Sequence, residues 1–169
     1  MVKKILITGP ESSGKSFLSS SLAEKLEGVL VQEYAREYLT NKGGYVESDL
    51  SLIAQKQSEL ENQAALNCSG FLFCDTGIEV VCIWSLVKYG RVDAGIRDLL
   101  QLKTYDLILL CKPNIPWEFD ELREHGNSRG YLFEVYKDFL SLEKVTFKVV
   151  NAPLGGRVMQ AVEYVNQIM

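Results

Sequence analysis

Only one histidine, His125, occurs in the 169 residues, and the four cysteines Cys68, Cys74, Cys82 and Cys111 form no CxxC pair. That combination excludes the usual structural zinc frameworks. Cys74 and Cys111 sit inside apolar runs, which predicts buried, reduced thiols and a cytoplasmic protein. No basic run stands out and the formal net charge is −4, so no surface is offered to a nucleic-acid backbone. No apolar stretch is long enough to span a bilayer, and no membrane partner is expected. The opening Met1-Val2-Lys3-Lys4, followed by a short apolar run, predicts no signal peptide. Internal repeats, low-complexity tracts and dividing linkers are also lacking. One compact domain over residues 1–169 is the expectation, with a small molecule as its partner.

What is present begins with Gly9-Pro10-Glu11-Ser12-Ser13-Gly14-Lys15-Ser16. The spacing Gly-x-x-x-x-Gly-Lys-Ser is that of a phosphate-binding loop, the Walker A pattern. Its context also fits. Ile5-Leu6-Ile7 reads as a buried strand entering it, and Phe17, Leu18, Leu22, Ala23 and Leu26 recur at helical spacing after it. The glycines let backbone N–H groups turn inward and form a nest for oxygen atoms. The helix that starts at Lys15 adds free N–H groups and the positive end of its dipole. The expected ATP-binding set is therefore Gly9, Glu11, Ser12, Ser13, Gly14, Lys15, Ser16 and Phe17. Lys15 neutralises the outer phosphates and the Ser16 hydroxyl is a Mg²⁺ ligand.

Four more apolar runs predict strands, at 29–31, 71–74, 107–111 and 145–150. Helical patterns lie between and after them, at about 48–67, 78–89, 94–102, 131–140 and 157–169, with Ser48 or Asp49 capping the first. Continuous apolar strands alternating with helices predict a three-layer α/β/α fold around a five-stranded parallel sheet. In such sheets ligands bind at the carboxyl ends of the strands. Those ends carry Gly9, Glu33, Asp75, Lys112 and Asn151.

Asp75 follows its strand as a Walker B acid does, and is the second candidate metal ligand beside Ser16. Glu33 follows the second strand, across the cleft from the loop, where it can orient an acceptor hydroxyl and take its proton. Arg36, one helical turn on, can clamp the acceptor. The charge-dense segment 113–130 is where a small kinase carries a lid, and Arg123 and Arg129 are its candidate phosphate-facing cations, with Asp120 orienting Arg123. Gln57 and Glu61, four residues apart, suit either the cleft or a solvated helix side, and Gln57 is a candidate substrate contact. The chain has no DxxG element, and Asn41-Lys42-Gly43-Gly44 lacks the aspartate of a guanine-reading NKxD, which argues against a G protein. Transport and AAA-type motors are longer.

Several stretches taken together resemble the ribosylnicotinamide kinase domain of NadR-type proteins, a P-loop kinase family of NAD salvage. They are the loop itself, Glu33-Tyr34-Ala35-Arg36-Glu37-Tyr38-Leu39, the run 49–57, Cys74-Asp75-Thr76, the run 83–90 and the run 105–124 with its Pro116-Trp117. The resemblance extends from Lys3 to the last helix. It implies ATP-dependent phosphorylation of the 5′-hydroxyl of nicotinamide riboside, giving nicotinamide mononucleotide. By the same resemblance Lys15, Glu33, Asp75, Arg123 and Arg129 are the catalytic set. The loop 151–154, with Pro153, lies near adenine, and Tyr34 and Trp117 are candidates to stack on the substrate. The family's adenylyltransferase module is not expected in these residues. One departure is specific: many members follow the Asp-Thr pair with another acid, where this chain has Gly77 and places Glu79 two residues further on. A kinase for another nucleoside, a nucleotide-sensing module without turnover, and a simple ATPase are the competing readings.

Overall fold

The structure, a computed structural model, describes residues 2–117 and 128–169. Five strands form one sheet: β1 (Lys3–Thr8), β2 (Val29–Val31), β3 (Phe71–Asp75), β4 (Leu107–Cys111) and β5 (Lys148–Val150). Their order is β2-β3-β1-β4-β5 and each pairing is parallel. The helices among the described residues are α1 (Lys15–Lys25), α2 (Tyr34–Lys42), α3 (Glu47–Asn67), α4 (Ile78–Tyr89), α5 (Ala94–Leu99), α6 (Arg129–Leu142) and α7 (Arg157–Asn166).

The period-two alternation of the central strands sorts the core into two layers. Ile5 and Ile7 of β1, Phe73 of β3, and Leu107, Leu109 and Cys111 of β4 point to one face, packed by Leu18, Leu22 and Ala23 of α1 and by Ala161 and Val165 of α7. Leu6, Leu72, Cys74, Ile108 and Leu110 point to the other, under α3, α4, α5 and α6. Both faces are covered, which is why these strands read as unbroken apolar runs. Cys74 and Cys111 are buried free thiols, as their apolar settings predict, and Cys82 is a third. Burial pushes the Cys82 and Cys111 thiols up to about 12, so they stay protonated.

Register brings the site together. Ile7 stands beside Asp75, and Thr8 beside Leu110. The carboxyl ends of β1, β3 and β4 therefore lie side by side, and the chain crosses from β3 over β1 to β4, the switch point where open α/β sheets bind ligands.

Three boundaries differ from the sequence reading. The fifth strand occupies only Lys148–Val150, because Val145 and Phe147 are spent packing against the core on the way in. The helix at 94–102 ends at Leu99 and is followed by a 3₁₀ turn, Leu102–Thr104. α3 starts at Glu47 and not behind a Ser48 or Asp49 cap. Asp49 instead acts from inside its first turn. Its carboxylate accepts the Val46 N–H at 2.8 Å, the Tyr38 hydroxyl at 2.7 Å and the Lys42 ammonium at 2.6 Å. These donors, Lys42 foremost, hold its carboxyl down at about 2.

The buried stripe of α3 runs Leu50, Ile53, Ala54, Gln57, Glu61, so two polar residues continue an apolar line. Glu61 accepts the Lys4 ammonium at 2.7 Å and the Tyr105 hydroxyl at 2.7 Å. Glu79 lies beyond it, fully buried, taking the Gly77 N–H at 3.2 Å. Burial, with the Glu61 charge adding to it and nearby donors such as the Thr8 hydroxyl opposing it, raises the Glu79 carboxyl to about 7. The ordinary value is 4.5, so the folded state holds this proton more tightly than the unfolded chain. The stability it contributes is complete below the ordinary value and is lost as pH rises through the folded one. Glu79→Gln keeps the neutral form at all pH. Urea unfolding should therefore show the stability of wild type relative to the variant falling by roughly 3 kcal/mol over that interval. Parallel curves would contradict the assignment.

Candidate functional site

One cavity of about 430 Å³ opens at the carboxyl ends of the strands. Its walls include Gly9, Glu11, Ser12, Ser13, Gly14, Lys15, Ser16 and Phe17, the whole phosphate-loop set expected from the sequence. Glu33 and Arg36 stand on the same cavity, as do Val80, Trp84, Ile115, Pro116, Tyr136 and Leu154. Its size suits a nucleotide-scale ligand.

The loop owes its shape to two glycines. Gly9 has φ +138° and Gly14 φ +80°, both in the region L side chains avoid. Gly14 is the residue before α1 and leaves the helix's first N–H groups uncovered by any side-chain cap. The Lys15 ammonium folds back onto the Pro10 carbonyl at 2.8 Å, so the cation is held over the loop.

Asp75 is buried, and its Oδ1 has no hydrogen-bond partner among the described residues. Burial raises its carboxyl above the ordinary range, opposed by a hydrogen bond from Ser16 and by the charges of Lys15 and Arg36. A buried carboxylate oxygen left unpaired beside a serine hydroxyl is a pair of oxygen donors that fits a hard divalent cation. No cluster of three or more histidine, cysteine or acidic side chains able to hold a metal occurs among the described residues. That too is compatible with an ion held by one carboxylate, one hydroxyl and ligand oxygens.

Glu33 sits at the start of α2, in extended conformation, one residue before the helix. Gln57 does not reach the cavity. Its Oε1 accepts the Tyr34 N–H at 2.9 Å, so it pins the backbone directly after Glu33 from behind. Tyr34 is not on the cavity wall either; its ring faces Tyr38, centroids 6.1 Å apart. Gln57 and Tyr34, two of the substrate contacts expected from the sequence, thus stand behind Glu33, while Trp84 and Tyr136 line the cavity. Leu154 lines the cavity, and Pro153 is its immediate neighbour.

A second cavity of about 130 Å³ shares Glu11, Trp84 and Tyr136 with the first and adds Tyr45, Ile83, Val87 and Leu132. Trp84 and Tyr45 stack, centroids 5.5 Å apart and planes within 11°. Aromatic planes therefore extend the site away from the phosphate loop.

Arg129, at the start of α6, donates from Nη1 to the Ser12 carbonyl at 2.9 Å and the Ile115 carbonyl at 3.2 Å. Its guanidinium lies 5.4 Å from the centroid of the Trp117 ring. Trp117, a substrate contact expected from the sequence, is not among the residues that line the cavity. Arg123, Asp120 and His125 lie outside the described residues.

Gly77 has a packing reason. A Cβ there would come within 2.7 Å of Glu79 Oε2 and 2.8 Å of the Tyr105 hydroxyl. The Glu79 carboxylate occupies the space beside residue 77, and it borders a separate cavity of about 20 Å³ with Lys4, Glu61 and Tyr105. It does not stand in for a second acid at the phosphate cavity.

A parallel sheet with a phosphate loop after its central strand and an acid at the end of the neighbouring strand defines a P-loop nucleotide-binding domain. Residues 4–157 match the AAA_28 family, an AAA domain, and the chain belongs to that family. The trifunctional NAD biosynthesis/regulator protein NadR of Salmonella typhimurium is 29% identical over 99% of this chain. The chain spans 43% of that relative's length. A crystal structure of NadR in complex with NR superposes with a TM-score of 0.75 at 23% identity, covering 99% of this chain and 51% of that one. A NadR structure with NAD and AMP-PNP gives 0.76 at 22% identity, over 99% and 49%. Deoxyadenosine kinase from M. mycoides gives 0.66 at 18% identity, over 97% of this chain and 99% of that one. The resemblance to the NadR-type kinase domain is thereby borne out, as is the three-layer α/β fold. No described helix is long and apolar enough to cross a membrane.

Proposed function

We propose that residues 1–169 form one ATP-dependent kinase domain that phosphorylates the 5′-hydroxyl of nicotinamide riboside, giving nicotinamide mononucleotide. The observation that carries this reading is a single cavity with a phosphate cradle on one wall, the Glu33 carboxylate on another and aromatic rings beyond. NadR, the relative aligned over nearly the whole chain, is a NAD biosynthesis protein, and a solved NadR structure holds NR. Both support the choice of acceptor. The cytoplasm is the expected location, and neither nucleic acid nor membrane is a partner.

In this reading ATP lies with its phosphates in the Gly9–Ser16 nest and its base toward Pro153 and Leu154. Lys15 leaves the Pro10 carbonyl for the outer phosphates. Ser16 and Asp75 are the residues that would hold Mg²⁺, which supplies charge neutralisation for the phosphates when bound. Arg36 holds the acceptor ribose, with its flat ring toward Trp84 and Tyr136. Glu33 orients the 5′-hydroxyl and takes its proton as the new O–P bond forms and the bond from the γ-phosphorus to the β,γ-bridging oxygen breaks. ADP leaves with that bridging oxygen. The segment 113–130 acts as the lid, with Arg123 and Arg129 excluding water and meeting the phosphate charge on closure.

A panel of nucleosides tests this. ADP release from ATP-Mg²⁺ should be stimulated most by nicotinamide riboside. Stronger stimulation by another nucleoside would keep the kinase and replace the acceptor. Release that no acceptor stimulates would leave an ATPase.

A further inference from the structure

Arg157 opens α7 with no solvent exposure at all, and no carboxylate meets it among the described residues. A buried guanidinium without an anion is unusual, because desolvation of the charge goes uncompensated. Every acceptor it has is neutral. Nη1 donates to the Ser13 carbonyl at 2.5 Å, Nη2 to the Lys112 carbonyl at 2.6 Å and to the Asn114 amide oxygen, and Nε to the Ala152 carbonyl at 3.0 Å. Asn114 closes the circuit by donating to the Asn151 carbonyl at 2.8 Å. One planar fork thus joins the phosphate loop, the segment after β4 and the segment after β5.

The bond to Ser13 has a geometric consequence. A trans peptide holds its C=O and N–H in opposite directions. Pulling the Ser13 carbonyl toward Arg157 turns the Gly14 N–H of the same peptide away from it. Ser13 and Gly14 both line the phosphate cavity. The bond to Ala152 sits two residues before Leu154, which lines the same cavity.

We infer that Arg157 is a positioning residue for the nucleotide: it aims the phosphate-loop peptide, ties that loop to the segment after β5, and has the bound phosphates as its missing counter-charge. The inference rests on the nucleotide reading of the cavity. The lowered proton affinity that burial imposes on this guanidinium agrees with a charge awaiting an anion.

The test compares Arg157→Lys and Arg157→Gln with wild type, using ATP-Mg²⁺ as the probe. Arg157→Lys keeps the charge and loses the fork, while Arg157→Gln loses the charge. The expected result is a Kd for ATP raised about tenfold in the lysine variant and about a hundredfold in the glutamine variant. The KM of the acceptor should stay within about twofold and kcat at saturating ATP within about threefold. Low concentrations of guanidinium should partly restore ATP affinity to Arg157→Ala. ATP binding by wild type that both variants retain overturns the inference alone. No ATP binding by wild type overturns the nucleotide reading and the inference with it. An Arg157→Lys protein that does not fold, or one in which ATP and acceptor constants rise together, makes the residue a purely structural strut and overturns the inference.

Discussion

Gly9→Ala is expected to lose about 3 kcal/mol or more of folding stability and to bind no ATP in whatever fraction stays folded. Two costs act together. The backbone has φ +138°, which an alanine resists. The added Cβ would meet the Cys111 carbonyl oxygen at 2.7 Å and its nitrogen at 3.2 Å. Those atoms are backbone of β4, which pairs with β1 on one side and β5 on the other, so they cannot yield without breaking the sheet. Gly155→Ala is the matched control, since nothing lies within 4 Å of its added Cβ and its φ is not in the left-handed region. It should stay within about 0.5 kcal/mol of wild type. Urea unfolding of the two variants reads the difference directly, and equal midpoints would contradict the account of the loop.

Glu33→Gln should lower kcat by roughly 10² to 10⁴ and leave ATP affinity within a few-fold of wild type. Glutamine keeps the size and the position at the start of α2. It removes the acceptor for the hydroxyl proton and the charge that orients the hydroxyl. Gln57 should hold the backbone of the variant in place through the Tyr34 N–H, because that bond does not involve the Glu33 side chain. Steady-state kinetics with both substrates varied makes the check. Normal turnover with ATP affinity lost would put Glu33 on the nucleotide and not on the acceptor.

Much of this arrangement is readable from the chain itself. The loop spacing, the strand before it and the helix after it are local, so Gly9 to Ser16 are identified without any tertiary knowledge. Asp75 and Glu33 are readable because buried parallel strands stand out as apolar runs and their polar ends mark the ligand side. α2 is harder. Only Ala35 and Leu39 of its nine residues are buried, too few to set a clear period. Gln57 and Glu61 mislead for the opposite reason. Polar side chains suggest solvent, yet their spacing continues the buried line from Leu50, Ile53 and Ala54, and that spacing was the usable signal. Trp84 and Tyr136 lie in helices whose apolar residues mostly serve the core, and only the packing of α4 and α6 decides which aromatic faces the cavity. Arg157 carries no local signal at all. An arginine at a helix start opposes the helix dipole, and its reason lies in the Ala152 carbonyl five residues back and in the Ser13 and Lys112 carbonyls and the Asn114 amide oxygen of remote segments.

The central claim is that the γ-phosphoryl group of ATP goes to the 5′-oxygen of nicotinamide riboside. The most direct measurement incubates the protein with ATP-Mg²⁺ and nicotinamide riboside and follows the products by mass and by phosphorus–proton coupling. The account predicts nicotinamide mononucleotide, phosphorylated on the 5′-oxygen, in equal amount to ADP. ADP formed with free phosphate and an unmodified nucleoside would contradict it.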